Sequence, residues 1–341
     1  MQGKHVPVSG TASLELFERL AERIDIPGKE GIMVIGFAET ATAVGAAVAA
    51  SIGGNCIYIH TSRENIPMEF CVADFSEEHS HASEQYLFSG SGGEIFSGIR
   101  HIVFVEDELT TGKTILNIVN ILKEKVSPEC RFYAASIVNG MSGENLREYD
   151  SRGIGLFWLV KIDNSIEDMN SELDISPAED MKPVQRERHI ERISVTGMVD
   201  PRLGCKIGNY TDSCGRLADE IRSRIGTQLG NCRTVDVIGT EEFMFPALLL
   251  AKKLAENGFE ATSHSTTRSP IVPSDSEGCP LFSRCKLHSL YDYNRTTYLY
   301  NLYKCDAVII VTDANVEENP ALEELTEFLK TEQVIIVNWR K

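Results

Sequence analysis

Between residues 101 and 114 the chain reads HIVFVEDELTTGKT, and this stretch constrains the fold more than any other. Residues 102–105 are apolar and rich in β-branched types, the composition of a buried strand. Glu106 and Asp107 follow at once, then Thr110, Thr111, Gly112, Lys113 and Thr114. Beyond them Ile115, Leu116, Ile118, Val119, Ile121 and Leu122 recur at the spacing of a helix face. The order is strand, acid pair, hydroxyl-rich turn, helix. Such a turn aims backbone N–H groups from a helix N-terminus, where a phosphate group is well held. Gly112 lets the backbone approach a ligand closely.

An ATP-type phosphate loop, GxxxxGK[ST], requires glycine where this chain has Asp107, so Gly112-Lys113-Thr114 does not complete that motif. Adjacent carboxylates at a strand end suit sugar hydroxyls or a metal-bound sugar phosphate instead. The stretch closely resembles the diphosphoribose-binding signature of type I phosphoribosyltransferases: an apolar strand, two acids, two variable residues, two Thr/Ser, Gly, one variable residue, Thr/Ser. Residues 102–114 depart from it nowhere. The resemblance implies that Glu106 and Asp107 hold the ribose 2- and 3-hydroxyls. It implies that Thr110, Thr111, Gly112, Lys113 and Thr114 cradle the 5-phosphate.

A chain of 341 residues suggests two domains, and 42 % hydrophobic residues are enough for sizeable cores. The net charge of −17, with no basic stripe, argues against nucleic acid as the main partner. No apolar run approaches a membrane span, and the opening MQGKHVPVSGTAS has no apolar core of the secretory kind. The nine cysteines are scattered, without a CxxC pair, which fits reduced thiols in a cytoplasm.

Taken in order, residues 11–24 predict an amphipathic helix, 32–37 a strand, 43–51 an Ala-rich helix and 57–59 a second strand. The same resemblance implies a diphosphate-binding turn at Ala38, Glu39, Thr40, Ala41 and Thr42, and a diphosphate-binding cation in Arg63 after the second strand. An arginine fork binds two diphosphate oxygens at once. Residues 65–100 show no long periodic element; the family has a loop or hood there, and His79 and His81 are candidate acceptor or lid groups. A strand at 131–138, a helix near 142–150 and a strand at 156–162 complete a βαβ alternation, which argues a doubly wound parallel sheet in an α/β fold. Ligands in such sheets bind at the carboxyl ends of the strands. The expected divisions are a phosphoribosyltransferase domain at 1–165, a linker or crossing arm at 166–190 and a second α/β domain at 191–341.

In the second half, helices are expected at 212–229, 245–257 and 294–304, and strands at 235–239, 259–264, 307–312 and 334–338. This half reads as a degenerate duplicate of the first. Val237-Ile238-Gly239 with Glu242 parallels Val34-Ile35-Gly36 with Glu39, and the string from His264 to Arg268 parallels that from His60 to Arg63. The segment after Thr312 and Asp313 has no phosphate turn. Thr266, Thr267, Arg268 and Ser269 form a candidate second anion site.

Thr267-Arg268-Ser269-Pro270 and the segment 239–244, GTEEFM, resemble the TRSP domain, which follows an orotate-phosphoribosyltransferase-like domain in proteins of bacterial tellurium-resistance and stress operons. The first domain matches that group at 36–42 and 75–81. The resemblance implies phosphoribosyl transfer from 5-phosphoribosyl 1-diphosphate to a base-like nitrogen acceptor. It implies Mg²⁺ bridged by substrate, a role in nucleotide or nucleoside-like metabolism, and the homodimer common in the family. Two rivals stand beside it: a sensor that binds the same ligand without turnover, and a sugar-phosphate or nucleotide hydrolase using Glu106, Asp107 and a metal.

Overall fold

A computed structural model describes residues 3–28, 30–76, 84–163, 176–184, 186–226, 229–230 and 232–341. Along the chain lie β1 (Val8–Ser9), α1 (Gly10–Arg23), β2 (Ile32–Gly36), α2 (Ala41–Ile52), β3 (Ile57–His60), β4 (Cys71–Ser76), β5 (Glu84–Phe88), β6 (His101–Leu109), α3 (Lys113–Leu122), β7 (Arg131–Asn139), α4 (Gly143–Ser151) and β8 (Gly155–Lys161). They are followed by β9 (His189–Val195), β10 (Cys205–Lys206), α5 (Ile207–Ile225), β11 (Thr234–Gly239), α6 (Phe245–Glu256), β12 (Glu260–Ser265), β13 (Arg284–His288), β14 (Thr296–Tyr300), β15 (Ala307–Thr312), α7 (Pro320–Phe328) and β16 (Gln333–Trp339).

Two compact units result. The N-terminal unit comprises Glu15–Asn170 and Val199–Asp212; the C-terminal unit comprises Met1–Leu14, Ser171–Met198 and Ser213–Lys341. The divisions expected from the sequence are 1–165, 166–190 and 191–341. The structure instead assigns the first fourteen residues to the C-terminal unit and a short later segment to the N-terminal unit.

The N-terminal sheet runs β10-β3-β2-β6-β7-β8, and the C-terminal sheet runs β1-β12-β11-β15-β16-β9. In each, a two-residue antiparallel edge strand precedes five parallel strands. The central strands β2, β6, β11 and β15 are apolar runs buried on both faces, as a covered parallel sheet requires. The two sheets therefore match strand for strand. Only the last edge differs in origin, since β8 follows β7 in sequence whereas β9 precedes β11.

Several elements depart from the sequence reading. Residues 294–304 form no helix; β14 lies there, paired antiparallel with β13. Its Thr-Thr-Tyr-Leu-Tyr run is β-branched and aromatic, with Thr297 and Leu299 turned inward, and the strand period prevails over helix spacing. Residues 65–100 hold the hairpin of β4 and β5. The expected arm at 166–190 ends in β9, which begins at His189 and pairs with β16. The helix α7 and the two-residue strands β1 and β10 add to the elements expected from the sequence.

Candidate active site

The site is built where β6 outruns its neighbour. Pairing of β2 with β6 ends at Gly36 opposite Val105, whereas β7 accompanies β6 as far as Leu109. From Glu106 onward β6 is supported on one side only, and Glu106 and Asp107 are half-buried there. The chain leaves β2 through α2 to β3 on one side and returns to β6 on the other. The ends of β2 and β6 thus flank the topological switch point, where ligands bind in doubly wound sheets.

On the β6 side, the turn enters α3 through Gly112, whose φ of 74° is left-handed and favours glycine. The Gly112 carbonyl accepts the Leu116 N–H (3.2 Å) and the Tyr149 hydroxyl (2.6 Å). The Lys113 N–H reaches Thr111 Oγ1 at 3.4 Å. Thr110 and Lys113 are exposed, Thr111 and Thr114 half-buried. Sequence reasoning missed Tyr149, because nothing local in 143–151 marks it as a partner of residue 112.

On the β2 side the backbone turns through a cis Ala38–Glu39 peptide into Thr40, the N-cap of α2, and Ala41, its first residue. Thr61, just beyond β3, organises this turn. Its N–H donates to the Gly36 carbonyl (2.9 Å), and its Oγ1 accepts the Ala38 N–H (2.9 Å) and donates to Gln85 Oε1 (2.5 Å). The Glu39 carbonyl accepts the Thr42 hydroxyl at 2.8 Å. Ser62 exchanges backbone hydrogen bonds with Tyr86 of β5, which ties the hairpin to the end of β3, and half-buried Arg63 follows. Gln85 is a second residue that the sequence reading missed; its role depends on hairpin register, which no local pattern carried. His79 and His81 lie outside the described residues.

The C-terminal unit repeats the β2-side geometry. Thr266 N–H donates to the Gly239 carbonyl (3.1 Å), Thr266 Oγ1 accepts the Glu241 N–H (3.0 Å), and Thr267 exchanges backbone bonds with Tyr298 of β14. Arg268 therefore stands where Arg63 stands, and Glu241 where Ala38 stands. Arg268 donates through Nε to Glu241 Oε2 (2.9 Å) and reaches Glu242 Oε1 (3.4 Å). Arg295 pairs with the same Glu241 oxygen (2.8 Å), and Ser289 donates to the other (2.5 Å). The Thr267 hydroxyl accepts the Ser269 N–H at 3.1 Å. By sheet register Thr312 and Asp313 take the places of Glu106 and Asp107. Here the Tyr291 hydroxyl donates to Asp313 (2.6 Å) and meets Thr240 (2.7 Å), so protein side chains fill the switch point.

The fold defines the class first: an α/β protein whose N-terminal sheet is doubly wound, with the candidate site turns at the strands' carboxyl ends. Residues 1–156 match the family model described as "Phosphoribosyl transferase", and residues 202–329 match "TRSP domain C terminus to PRTase_2". The chain thus carries an N-terminal domain of that phosphoribosyltransferase family and a C-terminal TRSP domain. No curated protein matches the chain. Similar solved structures include the adenine phosphoribosyltransferase of Giardia lamblia complexed with 9-deazaadenine, at 17 % identity and TM-score 0.35, covering 45 % of this chain and 82 % of that one. The orotate phosphoribosyltransferase of Aeropyrum pernix, at 17 % identity and TM-score 0.28, covers 47 % of this chain and 77 % of its own. Among the described residues no helix is long and apolar enough to cross a membrane.

Proposed function

We propose that the chain transfers the phosphoribosyl group of 5-phosphoribosyl 1-diphosphate to a nitrogen of a base-like acceptor and releases diphosphate. The observation that carries this reading is the pairing of two walls at one switch point: an acid pair with a hydroxyl-rich helix N-terminus on β6, and a turn with a nearby arginine on β2 and β3. In it, Glu106 and Asp107 hold the ribose hydroxyls, and Thr110, Thr111, Gly112, Lys113 and Thr114 take the 5-phosphate. Ala38, Glu39, Thr40, Ala41 and Arg63 face the diphosphate. The C1–oxygen bond breaks with its electron pair leaving on diphosphate. The acceptor nitrogen forms the new bond to C1 and then loses its proton to a base or to solvent. Arg63 offsets the leaving charge, and fixed hydrogen-bond donors cost no reorganisation as that charge develops. Holding the ribose in line supplies the remainder.

The donor set also fits magnesium. Glu106 and Asp107 are adjacent carboxylates on β6. That suits an ion held mainly by substrate oxygens and water, as Mg²⁺ prefers. Bound there, it would neutralise diphosphate charge. The reading extends to His79 and His81 as acceptor or lid groups, to a homodimer in the cytoplasm, and to nucleotide or nucleoside-like synthesis in a tellurium-resistance or stress setting. For Thr266, Thr267, Arg268 and Ser269 the proposal takes a definite form: an incoming anion would have to displace Glu241 from Arg268.

The test is a mass-spectrometric screen of purines, pyrimidines and other amines with donor and Mg²⁺. Diphosphate release that requires one acceptor, with a ribosylated product, supports transfer. Tight donor binding without release for any acceptor would turn the reading into that of a sensor. Phosphate release without acceptor would favour a hydrolase.

A further inference from the structure

Tyr149 is the one buried residue of α4, a helix whose other residues are polar apart from Gly143 and the partly buried Leu146, and which is capped by Ser142, whose hydroxyl accepts the Asn145 N–H. A nine-residue helix of this kind has little stability of its own, so its place depends on that ring. The ring is fully enclosed and lies against the Cα of Gly112. A Cβ at residue 112 would come within 2.6 Å of the Tyr149 hydroxyl oxygen and 2.8 Å of the ring. The hydroxyl donates to the Gly112 carbonyl at 2.6 Å, beside the first N–H···O bond of α3. Two separate devices therefore hold one peptide at the start of the helix: a hydrogen bond to its oxygen, and a ring that leaves no room for a side chain. Burial, followed by the charge of nearby Glu106, pushes the Tyr149 phenol above its usual range, so the hydroxyl stays a neutral donor.

A turn that receives phosphate through several backbone N–H groups binds more tightly when those groups are already in place. Ordering one residue's backbone costs roughly 1–2 kcal/mol, and a prearranged turn does not meet that cost on binding. We propose that Tyr149 is the positioning residue of the 110–114 turn, acting through Gly112 to keep its N–H groups arranged for a sugar 5-phosphate. This rests on the reading of that turn as the phosphate site.

The experiment is calorimetry on the full chain with two probes, ribose 5-phosphate and inorganic diphosphate with Mg²⁺. Tyr149→Phe keeps the ring and removes the hydroxyl. Its Kd for ribose 5-phosphate should rise about 5- to 10-fold, as expected for one lost hydrogen bond, while diphosphate binding stays at the wild-type value. Gly112→Ala, which presses on the ring, should show the same selective loss. Loss of both ligands in proportion to a lower Tm would mean that Tyr149 is merely structural and would overturn the proposal, as would unchanged ribose 5-phosphate affinity in Tyr149→Phe. A wild-type chain that binds diphosphate but not ribose 5-phosphate sinks the reading of the turn itself, and this inference with it.

Discussion

Glu106 and Asp107 can be removed as charges without removing their shape. Both are half-buried on a strand that β7 holds in register past them, so Glu106→Gln with Asp107→Asn should leave the fold intact. Charge-assisted hydrogen bonds are worth about 1.5–3 kcal/mol, so donor binding or turnover should fall at least ~10-fold. Unchanged kinetics in a folded double variant would remove their ribose role. Gly112→Val is harsher: φ is left-handed there and the new side chain meets the Tyr149 ring. Ribose 5-phosphate affinity should collapse, and equal affinity by calorimetry would show that the turn is not the phosphate site. At this scale the signature residues were legible because they are contiguous: one strand end and one helix start carry them all. Thr61 could be seen only as part of a string, and Gln85 and Tyr149 not at all, since their partners lie far away in sequence.

Long apolar strands and helices announced themselves by period, as in β6, α3, β11 and β15. The hairpins did not. β4 with β5 and β13 with β14 are short, mixed in polarity and half-covered, and their role is to bring one tyrosine backbone, Tyr86 or Tyr298, to the end of the neighbouring strand. That shared device makes the Arg63 and Arg268 loops comparable. In the second loop Glu241 is 1 % exposed and is held by Arg268, Arg295 and Ser289. Removing Arg268 takes one of two guanidinium partners from a buried carboxylate; Arg295 stays on the same oxygen, so the cost falls below the about 3–5 kcal/mol of a fully broken buried pair. Arg268→Ala should therefore lower Tm by several degrees, and Glu241→Gln in the same chain should restore part of the loss, as coupled partners do. An Arg268→Ala chain with wild-type Tm but lost binding of inorganic phosphate would instead favour the anion site.

At the scale of the whole molecule, the match of the two sheets includes an exchange that local sequence patterns could not reveal. Each two-residue edge strand runs directly into a helix, β1 into α1 and β10 into α5. Yet β1 pairs with β12, while α1 leads on to β2; β10 pairs with β3, while α5 leads on to β11. Two residues carry no periodicity, so these edges were illegible, and with them the membership of residues 1–14. The consequence is measurable. Lys4 is buried, and its Nζ donates to the Glu241 carbonyl at 2.5 Å; its own carbonyl accepts the Ser265 N–H at 3.2 Å. Glu241 has a left-handed φ of 48°, so this carbonyl sits in a backbone conformation that few non-glycine residues adopt. Lys4→Met keeps much of the buried stem and removes the charged donor. A buried acceptor deprived of its partner costs about 1–3 kcal/mol. The expected result is faster amide exchange at 241 and at 262–265, more than two hundred residues away in sequence, with the amides of β2 and β6 unaffected. Loss of protection confined to β2 and β6 would show that residues 3–9 serve the N-terminal sheet after all, and the exchange of edges would fall with it.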